Sequence, residues 1–247
     1  MWRVTADPDQ FDEAVQWLRS RVPVTREAYD ELDDAARAQS FTIGGTQQLR
    51  VVQTVLDEIT RAVESGESIE SFRDRIEKRL RRDYTEPNSA RLTTAFRTTT
   101  QMALNTGRWF QMQDPVLLQS HPYRIYDAVL DTRTTETCRN LDGKVFHHED
   151  EFLLTNWPPL HHNCRTGVRA IRTKQAMDIG PQSPPKKLDV PKGFGLAPPE
   201  RETWEPDAAD FDPKAFAEYV RKQRALEARR KKPAKSSNAK PKKRKRA

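Results

Sequence analysis

The chain has 247 residues, of which 35% are hydrophobic and 32% are charged, and its mean hydropathy is −0.89. This composition allows one modest core with segments outside it. No apolar run approaches the roughly 20 residues that would cross a bilayer, so we expect no membrane partner. The N-terminal sequence lacks the apolar core of a signal peptide, and two cysteines are too few for a disulfide framework. We therefore expect a cytosolic protein with reduced thiols.

The charge is distributed unevenly along the chain. The net charge is +7, but residues 221–247 hold fourteen Lys or Arg and one Glu, a charge of +13. Residues 1–220 then carry 29 basic and 35 acidic residues, a charge of −6. The pattern predicts an acidic body with a basic tail, and the tail is the part that would bind polyanions.

Residues 1–113 predict a helical domain, because apolar residues recur there at helical spacing. Asp7 and Pro8 are typical of a first helix start, and Thr25 of a second helix that extends to about Ser40. A third helix is predicted from the apolar stripe that ends at Gly66, and a fourth follows Ser68. The fifth predicted helix runs from about Ser89 to Met112, with these residues expected to be buried: Leu92, Ala95, Phe96, Met102, Ala103 and Phe110.

The pattern changes after Pro122, where short apolar alternations replace helical spacing. The segments YRIYDAVLD, GKVF and RTGVRAIR predict short strands, and we assign residues 114–180 to a small Cys/His-containing α+β domain. Residues 181–211 are rich in proline and predict an extended linker or strap. Residues 212–232 predict a C-terminal helix, and residues 233–247 a disordered basic tail. The expected fold class is α+β.

Both cysteines and four of the five histidines lie between Cys138 and Cys164. Cys138, His161 and Cys164 are candidate zinc ligands, because a tetrahedral site takes thiolate and imidazole donors. A fourth ligand could be His147, His148 or His162. Two alternatives stay open: buried cysteines beside a polar loop, and a nucleophilic Cys138 served by a histidine. No local motif of known catalytic mechanics accompanies them, so we expect no enzymatic activity.

The segment DTRTTETC, residues 131–138, predicts scaffold more than active site. Asp131 and Arg133 would share a face if the strand from Tyr123 continued through them. Thr134 or Thr135 could cap a short helical turn that carries Cys138. Asp142 and Gly143 form a tight-turn dipeptide that would return the next strand antiparallel.

The end of the tail concentrates positive charge without aromatic residues. We expect it to contact the phosphates of DNA without reading base sequence, because its side chains can replace condensed counterions. The run also looks like a nuclear-localisation signal, and a solubilising tail is the plain alternative. The candidate nucleic-acid-binding residues are Lys240, Lys242, Lys243, Arg244, Lys245 and Arg246.

Taken in order, the motifs resemble the phage Mu protein F family, the minor head proteins of tailed bacteriophages and prophages. The similarity extends over about residues 8–172 and is most specific in YRIYDAVLDTRTTETCRNLDGKVF and PPLHHNCRTGVRAI. Many relatives read Cys-Arg-Cys where this chain has Thr166, so one candidate metal ligand is missing. The positions that match the family pattern are Asp131, Arg133, Thr134, Cys138, Leu141, Asp142, Gly143, Pro158, Pro159, His161, Cys164 and Arg165.

The resemblance implies a structural minor capsid protein for head morphogenesis, located inside the phage head near the portal. The implied partners are the portal and the major capsid or scaffold proteins, with packaged double-stranded DNA against the tail. The protein would be found in the host cytoplasm during assembly and in the virion afterwards. Two alternatives remain: a metal-dependent nuclease or toxin-like enzyme, and a standalone DNA-binding protein.

Overall fold

Six helices form the N-terminal half of the computed structural model, which describes residues 12–32, 34–83, 89–180, 182–185 and 188–198 and the single positions 217 and 221. Thr25 caps the second helix through its Oγ1, which accepts a hydrogen bond from the Ala28 amide at 3.3 Å. The predicted cap at Asp7 and Pro8 lies outside the described residues. The helices are α1 (Asp12–Arg19), α2 (Arg26–Glu31), α3 (Asp34–Gln39), α4 (Leu49–Ser65), α5 (Ile69–Asp83) and α6 (Ser89–Gln111).

This half differs from the sequence prediction in two ways: one predicted helix is divided, and a short strand pair is present. The single helix predicted from Thr25 to about Ser40 is divided into α2 and α3, because Leu32 takes an extended backbone conformation. The strand β1 (Val22–Pro23) precedes these two helices in the chain and β2 (Ser40–Phe41) follows them, and the two strands pair in parallel. The half is therefore mostly helical, with one short strand pair.

Helix α4 forms the centre of the first hydrophobic core. Its apolar stripe packs against α1, α5 and α6, and Val52, Val55 and Ile59 have no exposed surface. Gly66 ends the helix in the left-handed region with φ 65°, where its amide bonds the Ala62 and Val63 carbonyls.

Helix α6 contributes to two cores. Leu92, Phe96 and Ala103 pack into the first core, as predicted. Phe110 was predicted to be buried, and this is wrong: it is 51% exposed, and the adjacent Trp109 is buried instead. The helix turns about 100° per residue, so the last turn of α6 presents Trp109 to the second core and Phe110 to solvent.

A three-stranded antiparallel sheet organises the second half, in the order β4-β3-β5. The strands β3 (Tyr123–Asp127), β4 (Val145–His147) and β5 (Gly167–Ile171) occupy the three segments predicted as strands, and the α+β fold class is confirmed. Around the sheet lie α7 (Pro115–Ser120), α8 (Glu136–Leu141), α9 (Phe152–Thr155) and α10 (Thr173–Ile179). None of the helices in the described ranges is long and apolar enough to cross a membrane.

A buried arginine connects the sheet to the preceding helices. Arg124 on β3 is 1% exposed, and its guanidinium donates to the carbonyls of Met112 at 2.7 Å and His121 at 2.8 Å. Burial lowers the pKa of this side chain. These carbonyls follow the last turns of α6 and α7, where backbone acceptors lack partners within the helix. Arg124 therefore fixes both helix ends against the first residues of the sheet.

Part of the predicted linker packs on the sheet half. The Trp157 amide donates to the Gly195 carbonyl at 2.6 Å, and the Ala197 amide donates to the Leu154 carbonyl at 2.8 Å. Ala197 is fully buried. Residues 188–198 therefore form a strap along the second core. The C-terminal helix predicted at 212–232, apart from two positions, and the tail at 233–247 lie outside the described residues, and the domain boundaries stay predictions.

Candidate metal centre

The three candidate ligands come from two segments that meet beside the sheet. Cys138 lies in α8, whose N-cap Thr135 accepts a hydrogen bond from the Cys138 amide at 3.4 Å. His161 and Cys164 lie in the loop between α9 and β5. The Cys164 amide donates to the His161 carbonyl at 3.2 Å, and Asn163 between them has φ 56°. This tight turn places both loop ligands on the side that faces α8.

The ligand atoms converge as the sequence spacing predicts. Cys138 Sγ lies 3.1 Å from His161 Nε2 and 3.8 Å from Cys164 Sγ, and all three atoms lie within 4.8 Å of one another. Both cysteines are buried free thiols, whereas His161 is partly exposed. The cluster is therefore closed toward the core and open toward solvent only at the imidazole.

The orientation of His161 is fixed by its other ring nitrogen. Nδ1 lies 2.8 Å from the His162 carbonyl oxygen. A carbonyl can only accept, so Nδ1 carries a proton and the neutral ring has its lone pair on Nε2. Thr135 Oγ1 also lies close to Nε2, at 3.0 Å. The lone pair therefore points into the space between Cys138, Cys164 and Thr135.

The two thiols share a hydrogen bond that separates their acidities. The hydrogen bond with Cys138, together with backbone and Thr166 hydroxyl hydrogen bonds, lowers the pKa of Cys164 to about 6. The same thiol pairing and burial raise the pKa of Cys138 to about 12. The hydrogen bond with Cys138 raises the pKa of His161. Cys164 is thus the sulfur that ionises more readily, which suits a metal ligand.

None of the predicted fourth ligands joins the cluster. His147, His148 and Glu149 form a separate group near the surface, in which His147 Nδ1 lies 3.5 Å from Glu149 Oε2. The His162 ring packs against Phe194 at a centroid distance of 4.9 Å. Among the described residues, the grouping at Cys138 therefore has three protein donors.

The predicted scaffold residue Asp131 connects the two ligand segments. Its carboxylate accepts two hydrogen bonds from Arg165, which follows Cys164, at 2.6 and 2.7 Å. It also accepts from the Arg133 amide at 2.8 Å, and Thr134 Oγ1 accepts from the Asp131 amide at 3.0 Å. The Arg165 hydrogen bonds hold the pKa of Asp131 well below its usual range. The turn before α8 is thus fixed to the ligand loop by a bidentate pair.

Asp131 and Arg133 would share a strand face only if the strand from Tyr123 continued through them, and it does not. Strand β3 ends at Asp127, and Asp131 lies in the turn that follows. The Arg133 side chain is 71% exposed, with Nη2 3.6 Å from Asp131 Oδ2. The backbone amide of Arg133, and not its guanidinium, makes the closer contact with the carboxylate.

The other predicted scaffold positions make turn and strap contacts. Asp142 Oδ1 accepts from the Ala128 amide at 2.8 Å, and the Gly143 amide donates to the Tyr126 carbonyl at 3.0 Å. Gly143 has φ 72°, so the turn into β4 needs a residue that tolerates this region. Pro159 follows a cis peptide bond, and its carbonyl accepts from the Gly195 amide at 3.2 Å.

The sequence alone did not predict the hydrogen bonds that hold the loop of His161 and Cys164 against α6. The Asn163 amide donates to Thr98 Oγ1 at 3.0 Å, and the Thr166 carbonyl accepts from Gln101 Nε2 at 3.0 Å and Asn105 Nδ2 at 3.3 Å. Trp157 Nε1 donates to the Asn105 carbonyl at 3.0 Å. The signal was present as polar residues at helical spacing, but such a stripe usually indicates a solvated face.

Comparison with known proteins shows that the chain is similar to proteins of a phage and a prophage. Residues 53–169 match the family described as "Phage Mu protein F like protein". "Putative capsid assembly protein F" of Escherichia phage Mu is 30% identical over 188 residues, which cover 69% of this chain and 42% of that protein. "Mu-like prophage FluMu F protein" of Haemophilus influenzae is 26% identical over 161 residues, which cover 60% of this chain and 38% of that protein.

The chain spans less than half the length of these two relatives. No solved structure gives a significant match to it. The matched region contains β3, β4, the first three residues of β5, the Asp131–Arg165 pair and all three members of the Cys/His cluster. The resemblance to the phage Mu protein F family that the motifs predict is confirmed by the match over residues 53–169 and by these two relatives.

Proposed function

We propose that this protein is a structural component of a tailed-phage head, acting in head morphogenesis. The observation that carries the proposal is the family match over residues 53–169, together with a 30% identical relative that is named a capsid assembly protein. We place the protein inside the head near the portal, where the portal and the major capsid or scaffold proteins would be its partners.

The use of polar residues in the matched region supports a structural role. The Asp131 carboxylate accepts hydrogen bonds from Arg165 and from the Arg133 amide. The Asp142 carboxylate accepts one from the Ala128 amide. Motif side chains that satisfy one another leave few groups to act on a substrate, and their hydrogen bonds instead define turns. This distribution favours a scaffold over the metal-dependent nuclease that the sequence alone leaves open.

The charge distribution supports a division of contacts. Residues 1–220 carry −6 and residues 221–247 carry +13. Packaged DNA repels an acidic surface and attracts a basic one. The tail, with Lys240, Lys242, Lys243, Arg244, Lys245 and Arg246, would therefore lie against the DNA while the acidic body contacts other head proteins.

The assembly role is tested by complementation in a phage that carries the gene. Deletion should lower the yield of DNA-filled heads, counted by electron microscopy and by nuclease-protected DNA, and the intact gene should restore it. The protein should copurify with the heads, and cross-linking should connect it to portal subunits. Normal heads from the deletion strain would contradict the assembly role, and cross-links confined to the major capsid protein would contradict the portal position.

The proposed binding of DNA by the tail is tested with two deletions of nearly equal length. Deleting residues 240–247 removes six basic residues, whereas deleting residues 233–239 removes one, Lys235. The first deletion should weaken DNA binding and flatten the slope of log affinity against log salt by up to about 0.9 for each phosphate that the tail no longer neutralises. The second should change the slope far less. Equal slopes for both deletions and the intact chain would refute DNA binding by the tail.

A further inference from the structure

We propose that Cys138, His161 and Cys164 bind one zinc ion through Sγ, Nε2 and Sγ, with water as the fourth ligand. The inference is independent of the assembly role, because it depends only on the geometry of the three side chains. Two thiolates and one imidazole are a donor set that zinc prefers over magnesium or calcium, which take oxygen ligands.

The distances between donors fit a tetrahedral ion. Zinc–sulfur bonds of about 2.3 Å and zinc–nitrogen bonds of about 2.0–2.1 Å place two sulfurs about 3.8 Å apart and sulfur and nitrogen about 3.6 Å apart. The observed Cys138 Sγ–Cys164 Sγ distance is 3.8 Å, and Cys138 Sγ–His161 Nε2 is 3.1 Å. The second distance is about 0.5 Å shorter than the ideal one, so zinc binding would require the partly exposed imidazole to move outward by about that amount.

The hydrogen bonds around His161 also match those of a metal ligand. Nδ1 is 2.8 Å from the His162 carbonyl, which keeps the lone pair of the neutral ring on Nε2. Cys138 Sγ and Thr135 Oγ1 both lie within 3.1 Å of that one nitrogen. Nε2 has one lone pair, so it cannot accept a good hydrogen bond from both neighbours at once. A cation at the centre would satisfy Nε2 and both sulfurs together.

The position of the cluster indicates a cross-link. The ion would join α8 to the loop before β5, two segments whose cysteines lie 26 residues apart and which surround a sheet of only three short strands. Small domains with thin cores gain stability from such metal links. His161 is the member of the cluster that is partly exposed, so the fourth position faces solvent and suits water.

Metal content of the full-length protein, purified under reducing conditions without chelator, tests the proposal. We expect about one zinc per chain, and at least tenfold less in Cys138→Ser, His161→Asn and Cys164→Ser. The matched control is His147→Asn with His148→Asn, which removes two nearby histidines outside the cluster and should retain the zinc. Zinc retained in the three ligand variants would refute this ligand set.

Cobalt substitution keeps the test independent of variants that fail to fold. The wild-type protein loaded with Co²⁺ should show a thiolate-to-cobalt charge-transfer band from two sulfurs, and its intensity per bound cobalt should be about halved in whichever cysteine variant folds. A wild-type protein that takes up neither zinc nor cobalt would overturn the proposal. If mass spectrometry then shows a Cys138–Cys164 disulfide, the segments are joined covalently, and if both thiols titrate as free, the cluster is held by packing.

Discussion

Trp157 gives the sharpest test of how the sheet half is attached to the helical half. The indole is fully buried, its Nε1 donates to the Asn105 carbonyl of α6 at 3.0 Å, and its ring meets Trp109 edge-on at a centroid distance of 4.6 Å. Trp157→Ala would remove a large buried ring and should lower the free energy of unfolding by about 3–5 kcal/mol. This is a large share of the roughly 5–15 kcal/mol that stabilises a typical domain.

Trp157→Phe separates the hydrogen bond from the packing. It keeps an aromatic ring but loses the donor and some volume, so we expect a loss of about 1–2 kcal/mol. Phe110→Ala is the matched control, because Phe110 lies on the same helix as Trp109 but is 51% exposed, and its loss should stay within about 0.5 kcal/mol. Urea unfolding followed by circular dichroism measures all three. A loss below about 1 kcal/mol for Trp157→Ala, or an equal loss for Phe110→Ala, would refute this packing of the indole.

Two further predictions concern the turns around the cluster. Arg165 depresses the folded-state pKa of Asp131, so the pair stabilises the fold above the unfolded pKa of about 3.8 and this contribution is lost as the pH falls below it. The melting temperature of Asp131→Asn should therefore lie below that of the wild type at pH 7, and the gap should narrow near pH 3; a gap that does not depend on pH would contradict the ion pair. Gly143→Ala should lose about 1–2 kcal/mol in urea unfolding, because φ is 72° although a Cβ there meets nothing within 4 Å. Gly44→Ala, also in open space but without a positive φ, should lose much less, and equal losses would exclude backbone strain as the cause.

Helix and strand positions could be predicted where a local pattern decides them. The stripe of α4 and the glycine at its end are strong signals because both the apolar period and the stop are encoded within one segment. The division between α2 and α3 had no such signal, because residues 26–39 keep a helix-compatible composition across Leu32. The short pairing of β1 with β2 depends on tertiary contacts, and a two-residue strand is too short to show a recognisable sequence pattern.

The sequence was sufficient to predict which residues form the Cys/His cluster, but not the contacts that surround it. Soft ligands are rare in this chain, so the approach of Cys138 to His161 and Cys164 follows from their concentration in one segment. The position of His162 outside the cluster could not be predicted, because His162 and His161 differ by one position in a loop without regular periodicity. The structure directs His161 toward the cysteines and His162 toward Phe194.

The polar face of α6 explains why the loop contacts escaped prediction and what they do. Thr94, Thr98, Gln101 and Asn105 are spaced by four, three and four residues, so they form one stripe, and each bonds the loop that carries the ligands. Hydropathy treats such a stripe as solvated, yet Thr98 and Asn105 are buried because backbone groups of the loop replace water as their partners. Asn163 and Thr166 lie on either side of Cys164, so their bonds to α6 set the position of that sulfur before any metal is considered. The segment that a metal would restrain most is therefore α8 with Cys138, which reaches the cluster from the other side and is joined to the loop mainly through Asp131, Arg165 and Thr135.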